Sequence, residues 1–419
     1  MPRRCWLAVA EAAAHPGALR PLPAARIAGF IADAAQRWCN ADFAPRVRVT
    51  AAIEARLGYT TPVVDYALDR LFAGLSRDAL AAAIASELGS VGALDGIVTR
   101  PGAPAAWARG VDRAVIISSD TTIGVALVPA VFALCAKCDV VVKDRGDALI
   151  AAFFATLADE HPAFASAAAA RTWSGGHDPA EDILLARADV VVAFGRDETL
   201  RAIRARCAPD ARFVAFGHRA SVGRLTQAEA AGLDDAQAER IVRDALLYDG
   251  EGCLSLHALF VQAQGDALAR VAALLTAACE RVAVEFPGGP RSPSRAAAVS
   301  AYRNLATFRA ASGGGAVLRA ADATVVVDPP QDETPPFLPR TIPLIPVDGD
   351  DAIARYARRH RLPVQALGVV AADAAAFALA ERLGAVRVAS FGALQAPPVG
   401  GHHGGAPRIA DFIRWIDGA

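Results

Sequence analysis

From residue 112 onward, short unbroken apolar runs alternate with amphipathic stretches, and this rhythm sets the expected architecture. Residues 114–119, 139–143, 189–194 and 212–216 read as strands, with helices over 124–137, 147–160, 182–188 and 197–207 between them. Val140-Val141-Val142 and Val190-Val191-Val192 show no polar alternation, as strands covered on both faces should not. The pattern predicts a doubly wound parallel α/β sheet, a Rossmann-like core of the dinucleotide-binding type, over 111–223. Residues 1–110 are mostly helical by pattern. Within them 63–88 places apolar residues at three-to-four spacing, and Ser76 and Asp78 mark the start of a second helix.

A second α/β region is expected over 224–390. It opens with a helical pattern at 228–247 and a buried strand at 258–261, followed by strand candidates at 282–286, 324–327 and 342–347. The Pro/Gly-rich stretches 287–294 and 328–343 read as the most mobile loops. The segment 391–419 is expected to close on a helix over 409–416.

Composition narrows the class. A chain of 419 residues with 54% hydrophobic side chains suffices for two domains. A formal net charge of -1 gives no footprint for nucleic acid or an anionic membrane. No uncharged apolar run reaches the ~20 residues of a membrane span. Arg3-Arg4 precedes a short apolar stretch that Glu11 interrupts, which does not fit a signal peptide. Seven scattered cysteines suit a reducing compartment, so a cytoplasmic protein is expected.

The candidate chemistry centres on Cys253 in Tyr248-Asp249-Gly250-Glu251-Gly252-Cys253-Leu254-Ser255. Flanking glycines leave little bulk around the sulfur, so a carbonyl can approach while backbone N–H groups face the developing oxyanion. The same residues also fit a small buried side chain in a loop. Glu251 is placed to position this loop or relay a proton, and His257 is a candidate helper base. Lys143 and Lys137 are the only lysines in an otherwise arginine-based chain, so Lys143 at a strand end marks either chance or a site needing a compact ammonium. No G-x-G-x-x-G follows any strand. Cys135-x-x-Cys138 has no second pair and does not read as a metal site. His402-His403, between glycine pairs, reads as a crossing loop or a substrate contact.

Taken in order, the Ser118-Ser119-Asp120 turn, the strand ending at Lys143, Ala193-Phe194-Gly195, Val214-Ala215-Phe216-Gly217 and Gly250-Glu251-Gly252-Cys253 resemble the aldehyde dehydrogenase superfamily. Gly58-Tyr59, Glu87-Leu88-Gly89, Arg340-Thr341-Ile342 and the stretch from Pro397-Pro398 to His402-His403 and Trp415 sharpen this to a resemblance to the acyl-CoA reductase family. That family is typified by the fatty acid reductase of bacterial bioluminescence. The resemblance implies an aldehyde dehydrogenase-like fold, a Rossmann-type cofactor domain plus an α/β catalytic domain, with 391–419 returning to the former. It implies Cys253 as the thiol that takes the acyl group and Lys143 as the lysine on the adenosine ribose. Ser118, Gly195 and Gly217 fall along the cofactor, and Asp120 stands where an asparagine forms part of an oxyanion hole. The implied cofactor is NADPH, with NADH as the alternative. The implied partner is acyl-CoA or an acyl-carrier protein, and the implied assembly a homo-oligomer.

Departures refine the expectation. An ionised Asp120 only accepts hydrogen bonds and cannot donate to an oxyanion. Ala215 stands where hydrolytic dehydrogenases carry a glutamate base, so water attack on an acyl-cysteine loses its assistance, worth roughly 10²–10⁴-fold. No clear equivalent of the glutamate that grips the nicotinamide ribose is found; the region around Phe337 is proline-rich instead. The expected activity is reduction of an acyl thioester to an aldehyde. The alternatives are an oxidative aldehyde dehydrogenase and a non-reducing family member that transfers acyl groups or serves as a partner subunit.

Overall fold

The structure is a computed structural model describing residues 17–99, 102, 104–119, 122–173, 179–313, 315–331 and 337–418. The chain divides into two compact units. One takes in residues up to Arg56, Asp65–Gly217 and the chain from Pro398 on; the other comprises Leu57–Val64 and His218–Pro397.

The first unit carries a five-stranded parallel sheet in the order Ala168–Arg171, Asp139–Lys143, Arg113–Ile117, Val190–Phe194, Arg212–Phe216. Every residue of Val190–Phe194 is buried, which is why that strand reads as a continuous apolar run. Ala168–Arg171 has no sequence signal, because three alanines and an arginine have little strand preference; pairing with Asp139–Lys143 makes it a strand. Helices Leu127–Cys135, Leu149–Glu160, Pro179–Ala186 and Asp197–Arg204 connect the strands. Among the N-terminal helices, Arg77–Leu88 starts at Ser76, whose hydroxyl accepts from the Ala79 N–H.

The expected C-terminal helix at 409–416 is absent. A single 3-10 turn, Ala410–Phe412, leads into the strand Ile413–Asp417, which pairs antiparallel with Ala106–Gly110. The reason is non-local. Pairing with Ala106–Gly110 commits residues 413–417 to a strand, and the Glu87 carboxylate, accepting the N–H groups of Arg408, Ile409 and Ala410 at 2.6, 2.9 and 2.9 Å, holds the turn that leads into it.

The second unit carries a seven-stranded sheet ordered Arg387–Ser390, Val364–Val369, Ala220–Leu225, Leu256–Val261, Thr341–Pro346, Ala323–Val327, Ala316–Ala320. All neighbours are parallel except the last pair. Two expectations are corrected here. The 228–247 pattern is two helices, Gln227–Ala231 and Asp235–Leu246, because Asp234 caps the second by accepting the Gln237 N–H. The strand expected at 282–286 is the end of the helix Gly265–Glu285. Its buried Leu268, Val271, Ala272, Leu275, Cys279 and Val282 keep helical spacing to the end, and that face outweighs the local valines. Among the described residues, no helix is long and apolar enough to cross a membrane.

Candidate active site

The Cys253 loop is shaped by its backbone. Helix Asp235–Leu246 runs into a turn in which Tyr248 and Asp249 hold left-handed φ values of 55° and 52°. Gly250 follows at φ 74°, and a Cβ there would sit 3.1 Å from the Ala245 carbonyl oxygen, so glycine fits on both counts. Two non-glycine residues in this region need support from outside. Arg340 supplies it: fully buried, it donates from Nη1 to the Leu246 carbonyl at 3.2 Å and to Asp249 Oδ1 at 3.3 Å. Its backbone N–H also donates to the Asp249 carbonyl at 3.1 Å.

Beyond the turn, the Ser221 hydroxyl donates to the Cys253 carbonyl at 2.7 Å. The Gly252 N–H donates to Ser255 Oγ at 3.1 Å, and the Ser255 N–H returns to the Gly252 carbonyl at 2.9 Å. The thiol is thus delivered, part-buried, at the amino end of the wholly buried strand Leu256–Val261. Burial pushes the Cys253 pKa up, while hydrogen bonds from the Cys253 and Leu254 N–H groups act the other way. Of the candidate amides at 253–255, those of Cys253 and Leu254 lie at the sulfur, while that of Ser255 is taken by Gly252.

His257, one of the candidate helpers, has the lone pair of its Nδ1 already engaged. Its Nδ1 accepts the Ser221 N–H at 3.1 Å, leaving the neutral ring's other nitrogen protonated, with no lone pair to take a proton. Burial, and then His218 nearby, lower its pKa to about 4, so it is neutral at pH 7. Phe337 lies against its ring at 4.6 Å. The Glu251 carboxylate forms an ion pair with Arg295 of the helix Pro293–Ala311; burial raises its pKa and Arg295 opposes this.

In the first unit, Ser118, Lys143, Gly195 and Gly217 stand directly after or at the carboxyl ends of four neighbouring parallel strands. This edge is where open α/β sheets bind ligands. The Ser118 N–H donates to the Lys143 carbonyl at 3.2 Å, and the Ser118 carbonyl accepts from Arg145 Nε at 3.1 Å. Lys143 is buried, with Nζ 3.6 Å from Glu181 Oε2 and 4.9 Å from the centroid of Trp173. Trp173 Nε1 donates to the same Glu181 oxygen at 2.8 Å. Burial lowers the Lys143 pKa, and Glu181 is the main opposing influence.

The two glycines differ. A Cβ at Gly195 would meet only Thr199, at an ordinary 3.6 Å, so the protein itself does not demand glycine there. A Cβ at Gly217 would lie 2.7 Å from Oδ1 of the exposed Asp197, a side-chain end that can move aside. Asp120 lies outside the described residues.

Sequence reasoning missed Glu181, Trp173, Arg145 and Ser221 as supports, because each is tied to its partner only by the fold. His403 proves to be a packed residue, its ring stacked on Phe216 at 4.0 Å beside Phe194 at the same strand ends. Burial lowers its pKa to about 3. Cys135 and Cys138 are buried, and burial raises both thiol pKa values, that of Cys135 to about 12. Among the described residues, no group of three or more His, Cys, Asp or Glu side chains is placed to hold a metal ion.

The fold recurs in solved structures. An oxidoreductase from Marinobacter aquaeolei superposes with a TM-score of 0.71 at 15% identity, covering 94% of this chain and 85% of that one. A NAD-dependent benzaldehyde dehydrogenase from Corynebacterium glutamicum gives 0.69 at 16% identity, over 97% and 85%. Proline utilization A from Bradyrhizobium japonicum gives 0.69 at 18% over 94% of this chain, which spans only 42% of that longer protein. A search of curated proteins by sequence gives no match. Parallel sheets with these neighbours define an α/β protein of the aldehyde dehydrogenase-like class. Within it, residues 19–415 match the model of the acyl-CoA reductase (LuxC) family, and the chain belongs to that family.

Proposed function

We propose that the protein reduces an acyl thioester, carried on CoA or an acyl-carrier protein, to the aldehyde through an acyl-cysteine at Cys253. The observation that carries this reading is the Cys253 loop, where the sulfur faces the backbone N–H groups of Cys253 and Leu254. The thiolate attacks the thioester carbonyl, the new S–C bond forms, and the donor thiol leaves with its proton restored. The Cys253 and Leu254 N–H groups stabilise the thiolate and the oxyanion. Ala215 supplies no base to activate water, so the acyl group persists on sulfur long enough to be reduced rather than hydrolysed.

A nicotinamide cofactor, NADPH with NADH as the alternative, supplies the hydride when bound. The carboxyl-edge residues suit such a group: Gly195 leaves room that a Cβ would fill, and Lys143 offers a cation set against Glu181. Lys143 would hold the adenosine ribose, while the Ser118 backbone and Gly195 would line the approach of the phosphates. Acidic Asp197 and Glu198 in the first turn of the next helix disfavour a phosphate deep in that turn.

The test is consumption of NADPH and NADH with acyl-CoAs from acetyl to palmitoyl, wild type beside Cys253→Ala. Turnover that disappears in the variant supports the reading and gives chain length and cofactor together. Absence of both turnover and an acyl adduct at Cys253 by intact mass rejects it for CoA substrates.

A further inference from the structure

The second unit holds a cavity of about 1130 Å³ that the Cys253 chemistry does not use. It lies at the carboxyl end of Leu256–Val261, whereas Cys253 precedes the amino end of that six-residue strand, roughly 20 Å of strand away. Its position follows from topology. Leu256–Val261 and Thr341–Pro346 are neighbours, and the chain leaves their carboxyl ends in opposite directions. From Val261 it passes through the helix Gly265–Glu285 toward the Ala316–Ala320 edge; from Pro346 it passes through the helix Asp350–Arg359 to Val364–Val369. Such a reversal opens a crevice between the outgoing connections, the general ligand position of open α/β sheets.

The chemistry of the walls is specific. Leu268, Ala272, Leu318, Val327 and Val347 give an apolar interior. Tyr356 also lines it, with 7% of its surface exposed, and among the described residues its hydroxyl has no hydrogen-bond partner. That hydroxyl is sealed from the cavity, so Tyr356 contributes its ring to the wall. At the rim, Arg355 and Arg359 stand one turn apart on the same helix, both exposed, with His360 next to them. Asp348 is the carboxylate at the lining, and it accepts from Gln264 Nε2 at 3.0 Å.

We propose that this cavity binds an anionic amphiphile: an aliphatic body along the apolar wall, with a carboxylate or phosphate oxyanion reaching the Arg355/Arg359 rim. The volume lies slightly above the roughly 300–1,000 Å³ of drug-sized pockets, enough for a medium or long alkyl chain. The proposal stands on groups remote from Cys253 and holds whether or not the reductase reading does.

The test is calorimetric titration of the full-length protein with dodecanoate, dodecyl phosphate and neutral dodecanol. Expected is saturable binding of one or both anions, which identifies the head group, and at least tenfold weaker binding of the alcohol. Arg355→Ala with Arg359→Ala should weaken the anion at least tenfold. Ala272→Trp, filling the cavity, should abolish binding while Cys253→Ser leaves it unchanged. Circular dichroism confirms that each variant is folded. No saturable binding, or affinity indifferent to the arginine and Ala272 changes, overturns the proposal.

Discussion

Arg340 Nη1 lies 3.3 Å from Asp249 Oδ1 while its Nε reaches Asp322 Oδ1 at 2.7 Å, with none of the arginine exposed. One guanidinium thus joins the turn before the thiol to the loop ahead of the strand Ala323–Val327. Because Asp249 sits at positive φ, the ion pair does conformational work as well as electrostatic work.

Replacing Arg340 with leucine removes that tie and leaves two carboxylates without their shared cation. The expected loss is about 3–5 kcal/mol, as for breaking a buried pair from one side. Asp249→Asn keeps an acceptor and should lose less. Urea unfolding followed by circular dichroism measures both. A loss below ~1 kcal/mol for Arg340→Leu would contradict this account.

Cys253 should titrate late. Burial dominates over the two backbone N–H groups, so the folded thiol pKa lies above the ordinary value of about 8.5. Its alkylation by iodoacetamide, read by peptide mass spectrometry, should be slower at pH 7 than that of a free thiol. It should still be rising beyond pH 9. An inflection below pH 7 would mean that a cation outside the loop activates the sulfur.

Much of this was legible beforehand, and what was not has a common cause. The strands Asp139–Lys143 and Arg212–Phe216 fall where the apolar runs place them, because strands buried on both faces write their boundaries into the sequence. The glycine-containing turn before Cys253 and the place of Lys143 at a strand end were also legible. Ile413–Asp417 was not, since its partner Ala106–Gly110 lies at the other end of the chain. His257 looked like a base by proximity alone; only the Ser221 N–H on its Nδ1 shows that the lone pair is already engaged. Periodicity reports burial, and burial does not reveal which distant group a polar atom meets.

His403 gives a stability prediction whose sign follows from its stack on Phe216. Its folded pKa is lowered to about 3, below the unfolded value of about 6.5. The neutral ring therefore contributes stability that is fully present above pH 6.5 and is lost as pH falls toward 3. The slope for this one group is at most about 1.4 kcal/mol per pH unit. His403→Phe keeps an aromatic ring in the stack and removes the titration. Melting curves between pH 4 and 7 should be flatter for the variant; parallel curves would show that the ring does not stay neutral on folding.

Lys143 and Glu181 bear on the choice between the two nicotinamide cofactors, given the proposed reductase. Glu181 holds the amine at 3.6 Å and takes the Trp173 N–H on the same oxygen. If Lys143 meets the adenosine ribose, the carboxylate behind it repels the 2′-phosphate that distinguishes NADPH from NADH, at a range where screening is weak. Glu181→Gln keeps the hydrogen bond from Trp173 but removes the charge, so NADPH should gain on NADH by several-fold, about tenfold at most. Lys143→Met should weaken both cofactors. Quenching of Trp173 fluorescence reports binding without turnover, with Trp173→Phe as its control. An NADPH-to-NADH affinity ratio unmoved by Glu181→Gln, together with normal affinity in Lys143→Met, would take the ribose away from this corner of the sheet.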